Sequence, residues 1–108
     1  MKLVISIVHS DDANGLVSAL AEKGYRCTKV STTGGFLREG NATVLVGVDG
    51  EHLDEVLGII NASCRSRTQL LSPPPITEAG EYYVPAPVEV QIGGATVLVL
   101  DVEKDFKF

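Results

Sequence analysis

Basic residues are scarce in this chain: nine Lys and Arg among 108 residues, against fourteen Asp and Glu, for a formal net charge of −5. A protein that tracks a nucleic-acid backbone neutralises phosphates with clustered Lys and Arg, so this balance argues against DNA or RNA as partners. Cysteine is sparse too. Cys27 and Cys64 make neither a CxxC pair nor a dense framework, and reduced thiols in a cytoplasmic protein are expected. Apolar runs fall far short of the ~20 residues a bilayer-spanning helix needs, so no membrane partner is expected. Residues 3–8 form such a run, but His9 and an acidic pair cut it off too early for a signal peptide. The two histidines, His9 and His52, lack any metal-binding spacing. Cys64 precedes Arg65 and Arg67, cations that would lower its pKa, yet no acid–base partner can be assigned to it. Cys27 falls in a strand-like stretch and reads as a packing residue. Neither catalytic residue, metal nor cofactor is expected, and the chain is not expected to be an enzyme.

What is present is an ordinary globular composition, 44% apolar and 21% charged, in a chain that supports a single core. Residues 2–9 form a continuous Leu/Val/Ile strand. Ser10, Asp11 and Asp12 offer caps for a helix whose Ala13, Leu16, Val17, Leu20 and Ala21 share one face. Gly24 suits the left-handed residue that ends it. Residues 25–31 and 43–48 read as two further strands. Asp49-Gly50 makes a turn and a cap for a second helix, in which Leu53, Val56, Leu57 and Ile60 recur at helical spacing. Residues 65–87 hold all five prolines, show no usable periodicity and read as one long loop. Residues 88–92 and 95–100 are strand-like and flank Gly93-Gly94, a pair suited to a primed hairpin turn. The order βαββα, loop, hairpin predicts an α+β, ferredoxin-like split-βαβ sheet with both helices on one face and an added C-terminal β-hairpin.

Apolar residues occupy both parities of the strands. Val4, Val8, Val44, Val46 and Val48 fall on one side; Leu3, Ile5, Ile7 and Leu45 fall on the other. A second apolar face with no helix over it predicts a homo-oligomer.

Residues 32–40 draw most attention as a site. Gly34-Gly35 lets a backbone approach a ligand closely, and Phe36 offers a flat surface for an aromatic base, or else folds back onto its own core. The GxxxxG spacing from Gly35 to Gly40 is not a P-loop, because Asn41-Ala42 stands where Lys-Ser/Thr must be. Arg26 and Thr28 share a strand face and could hold a phosphate by a charge-assisted fork and a hydroxyl; a solvated strand face is the plainer alternative. Asn41 either caps the turn or reads a base edge. Tyr82-Tyr83 and the stiff Pro73-Pro74-Pro75 run mark the long loop as a surface for a protein partner, or as a passive insertion.

These residues, taken together, resemble the PII-like cyclic-di-AMP receptors of bacteria. The likeness rests on Thr28-Lys29, Thr32-Thr33-Gly34-Gly35-Phe36-Leu37, Gly40-Asn41, Gly47-Val48, Val84-Pro85 with Pro87-Val88-Glu89-Val90, and Gly93-Gly94-Ala95-Thr96-Val97. It runs essentially end to end. It implies a homotrimer with the ferredoxin-like fold of PII signal proteins, non-enzymatic, binding cyclic di-AMP at subunit clefts. Residues 32–40 would form a short ligand loop, and residues 65–87 a long one that the ligand orders and a protein partner senses. By position, Arg26 and Thr28 would contact phosphate and base, Gly35, Phe36 and Leu37 would cradle an adenine, and Asn41 and Gly47 would line the same pocket. Gly24, Leu98 and Lys107 stand where the family pattern has Asn, an aromatic residue and Gln. Leu98 would face the second adenine without a π-face, a difference of ~1 kcal/mol or more by analogy with base stacking. The alternatives are a PII-like module for ATP or AMP, and a ligand-free trimeric interaction protein.

Overall fold

The parity of the valines decides the layering. In a computed structural model, which describes residues 1–31, 40–71 and 87–108, strand β1 (Lys2–His9) leads through helix α1 (Ser10–Glu22) to β2 (Cys27–Val30) and β3 (Asn41–Val48). A 3₁₀ turn (Gly50–His52) then enters α2 (Leu53–Cys64), followed by β4 (Arg67–Leu71), β5 (Val88–Ile92) and β6 (Ala95–Asp101). Four strands form one sheet in the order β2-β3-β1-β6, each antiparallel to its neighbour. This is the split-βαβ arrangement expected. Both helices pack on one face of it, side by side.

On that face Val4, Val8, Val44, Val46 and Val48 are buried, and they receive Leu16 and Leu20 of α1 with Val56 and Ile60 of α2. Burying each such side chain contributes ~1.5–3 kcal/mol. Ser6 interrupts the valines; it is fully buried, and its Oγ has no partner among the described residues.

The helix ends differ from expectation at their starts and agree at the first stop. His9 takes the N-cap position of α1 with an extended backbone and no side-chain cap; the Ser10 N–H donates instead to the Gly40 carbonyl at 2.6 Å. Asp49 likewise precedes the 3₁₀ turn without capping it by its side chain. Gly24, at φ 86°, ends α1 as predicted: its N–H bonds to Ala21 and that of Tyr25 to Leu20, each at 3.0 Å. That pair of bonds satisfies two terminal carbonyls.

The C-terminal third corrects two expectations. Residues 65–87 are not wholly a loop, because Arg67–Leu71 is a strand, paired antiparallel with Val88–Ile92. Gly93-Gly94 therefore does not turn a hairpin between β5 and β6. The two glycines do take positive φ, 74° and 96°, but they carry the chain from the β4–β5 ribbon into β6, which joins the main sheet beside β1. A primed turn and a sheet-to-sheet crossing ask the same of the backbone locally. Only the partner of β5 distinguishes them. The expectations placed on Gly35, Phe36, Leu37, the proline run and Tyr82-Tyr83 lie outside the described residues.

Candidate ligand site on the helix-free face

The face opposite the helices is built in rows by strand register. Thr28, Leu45, Ile5 and Leu98 lie in register across all four strands; Gly47, Leu3 and Leu100 form the next row, and Val30, Thr43, Ile7 and Thr96 a third. Leu3, Ile5, Ile7 and Leu45 are only part-buried, while Leu98 and Leu100 are 50% and 49% exposed. Four sequence-predicted site residues, Thr28, Asn41, Gly47 and Leu98, thus share this face. Arg26 precedes β2 and follows the parity of Thr28. Lys29 leaves the other way, and its Nζ donates to Asn14 Oδ1 on α1 at 3.1 Å.

The face does not gather all of these residues into one cleft of one chain. Arg26 and Gly47 line an open cleft of about 290 Å³ with Gly24, Tyr25, Asp49 and His52. Asn41 lines another, of about 280 Å³, with His9, Gly93, Gly94 and Thr96. Asn41 and Gly47 stand near opposite ends of β3, ~20 Å apart at the usual rise of a strand. Among the described residues of a single subunit they line separate clefts, and the shared pocket that the resemblance implies lies between subunits.

Around Arg26 the wall is aromatic. The Tyr25 and His52 rings meet edge-on with centroids 6.1 Å apart, and His52 Nε2 lies 3.3 Å from Glu51 Oε1. Desolvation, and then the charge of the Glu55 carboxylate, push the Tyr25 hydroxyl above its ordinary pKa. It therefore stays a neutral donor. Arg26 is exposed and forms no ion pair among the described residues. Tyr25 and His52 were not singled out in the sequence. Tyr25 was visible as a neighbour of Arg26, whereas His52 arrives from the turn before α2 with no local signal.

Both cysteine thiols are held toward their neutral form. Burial raises the Cys27 thiol pKa. Burial and then the nearby Asp12 carboxylate raise that of Cys64, which Arg67 only partly opposes. The lowered pKa expected of Cys64 from the following arginines is not found, because the residue is buried in the core. Among the described residues no group of three or more His, Cys, Asp or Glu could hold a metal ion, and no helix is long and apolar enough to cross a membrane.

A sequence model of cyclic-di-AMP receptors matches residues 1–108, the whole chain. The chain belongs to the cyclic-di-AMP receptor family. A receptor family of this kind points to nucleotide binding and signalling rather than catalysis. Among solved structures, this cyclic-di-AMP receptor family member is similar to a crystallised, functionally unknown protein from Pediococcus pentosaceus ATCC 25745. The two are 42% identical over 99% of this chain and 96% of the other, with a TM-score of 0.79.

Proposed function

We propose that this chain is a non-enzymatic, PII-like signal receptor of the bacterial cytoplasm. It assembles as a homotrimer, binds cyclic di-AMP in the clefts between subunits, and passes the signal to a protein partner through reordering of residues 65–87. One observation carries this: Thr28, Asn41, Gly47 and Leu98 share an apolar, helix-free sheet face, on which Gly47 and Asn41 stand toward opposite ends with Thr28 and Leu98 in the row between. An uncovered face with Leu3, Ile5, Leu45, Leu98 and Leu100 gains by burial against another copy. A site divided between the ends of one face is completed when the Arg26–Gly47 end of one subunit meets the Asn41 end of the next.

In that cleft the Arg26 guanidinium takes a phosphate oxygen by a charge-assisted bond, and the Thr28 hydroxyl adds a neutral one. Gly35, Phe36 and Leu37 contribute backbone N–H groups and an aromatic face for one adenine. Leu98 gives the second adenine dispersion alone. The net charge of −5 does not oppose a compact dianion held this way, because exposed charges beyond ~8 Å are screened at physiological salt. Switching requires that the ligand bind one arrangement of residues 65–87 more tightly than the other.

Arg26→Ala tests the site. Loss of a charge-assisted bond to phosphate should weaken cyclic di-AMP by about tenfold or more, with the far-ultraviolet circular dichroism unchanged. Unchanged affinity in calorimetry removes Arg26 from the site. Light scattering that reports a monomer removes the intersubunit cleft.

A further inference from the structure

The roots of two segments converge at one end of the sheet. Gly40, at φ 91°, closes residues 32–40 and enters β3; its carbonyl accepts from the Ser10 N–H at 2.6 Å. That amide opens α1 and would otherwise lack an intrahelical acceptor. Two residues on, Asp12 reaches the ribbon. Its side chain is only 9% exposed, and Arg67, the first residue of β4, donates to Asp12 Oδ1 from Nη2 at 2.9 Å and to Oδ2 from Nη1 at 3.5 Å. The same guanidinium donates to the Arg65 carbonyl at 3.2 Å.

The far strand of the ribbon returns through the same cluster. Gly93 packs so closely that a Cβ there would lie 2.5 Å from Arg67 Nη1, 2.8 Å from the Arg65 carbonyl and 3.2 Å from Asp12 Oδ2. The Gly94 N–H donates to the Cys64 carbonyl. Both strands of the ribbon therefore pass the Asp12–Arg67 pair, and β4 and β5 hydrogen-bond to no strand of the main sheet. Across the cleft of about 280 Å³, Asn41 and His9 face Gly93 and Gly94.

We infer that Asp12 and Arg67 are positioning residues that couple the root of residues 32–40 to the β4–β5 ribbon through the first turn of α1. A nearly buried carboxylate that loses its guanidinium must turn toward water, and the turn bearing it carries the Ser10 N–H away from Gly40. By linkage, a displacement at Gly40 loosens the ribbon to the same degree. The mechanical coupling stands on these contacts alone. Its role in signalling rests on the proposal that residues 32–40 hold the ligand.

The test is amide exchange of the full chain without ligand, read by NMR. Arg67→Gln lies on the ribbon, yet it should speed exchange of the Ser10 amide by about tenfold, together with the amides of residues 88–92. Asp12→Asn should do the same from the other side. Arg67→Lys keeps the charge but loses the fork, and should fall between; it also serves if the Gln variant does not fold. Leu70→Ala, on the exposed ribbon but outside the cluster, should leave Ser10 unchanged. Faster exchange in the ribbon with Ser10 unmoved, in both Arg67 variants, overturns the coupling. A second arm adds cyclic di-AMP. Protection of residues 88–92 in the native chain, lost in Arg67→Gln although the ligand still binds, places the pair in the signal. Protection retained in that variant removes it from the signal, and absence of binding to the native chain overturns the receptor proposal while the ligand-free exchange still decides the coupling.

Discussion

The four-stranded body and the β4–β5 ribbon are both antiparallel β-structure, and they are held in opposite ways. The body is fixed by shape: valines of one parity, fully buried, under two helices. The ribbon has no buried residue among those described; Leu70 and Val88 are 62% and 54% exposed. Its strands are linked by polar side chains, Ser66 Oγ donating to Gln91 Oε1 at 2.8 Å and Gln91 Nε2 to Thr68 Oγ1 at 3.1 Å. A lone two-stranded ribbon is marginal in water. The body therefore supplies the fold's stability, whereas the ribbon adds little of its own and depends on its junction at Asp12 and Arg67.

The largest effect that could break this contrast is in the body. Leu16→Ala, at a fully buried position, should cost ~2–5 kcal/mol in denaturant unfolding. The same truncation at Leu70 should cost less than ~0.5 kcal/mol. Comparable losses would mean that the ribbon belongs to the cooperative core. Next comes the junction. Gly93→Ala places a Cβ in a positive-φ backbone, 2.8 Å from the Arg65 carbonyl, and should cost roughly 1–3 kcal/mol. The loss should fall on the ribbon, seen as faster proteolysis within residues 67–92 than within β1 or β3. Uniform acceleration would contradict the contrast.

The smallest effect sharpens it at the sheet edge. Lys2 pairs with Asp101, and this bond first, then the ammonium charge, hold the Asp101 carboxyl below its ordinary value. A depressed pKa contributes stability that is complete above the unfolded value of ~3.9 and is lost as pH falls through the lowered folded value. Lys2→Met should move the Asp101 titration upward in an NMR pH series, with unfolding at pH 7 nearly unchanged because the pair is exposed. A large loss at pH 7 would show that this edge is not solvated.

The same division sets what could be read from sequence. The inner valines, the helical spacing of Val56 and Ile60, and the stop at Gly24 are local patterns that report burial or backbone conformation directly, and each appears where expected. Arg67–Leu71 has no alternation and pairs with a strand beyond the proline-rich segment, so no local signal marks it. Gly93-Gly94 revealed its dihedral angles but not its partner strand. Likewise parity puts Arg26 and Thr28 on one strand face, but the row that joins Thr28 to Leu98, the shared cleft of Arg26 and His52, and the pairing of Asp12 with Arg67 depend on tertiary packing between distant segments. Cys64 illustrates the converse: the arginines that follow it in sequence imply a lowered pKa, and burial raises it instead.

In the proposed function, the helix-free face becomes a cyclic-di-AMP site when subunits meet. Calorimetric titration of the native chain with cyclic di-AMP, with ATP and AMP as competitors, tests it most directly. The expected result is one dinucleotide per subunit of a trimer, displaced by neither mononucleotide at matched concentration. No heat at high micromolar cyclic di-AMP from correctly folded trimer, or tighter binding of ATP or AMP, would contradict it.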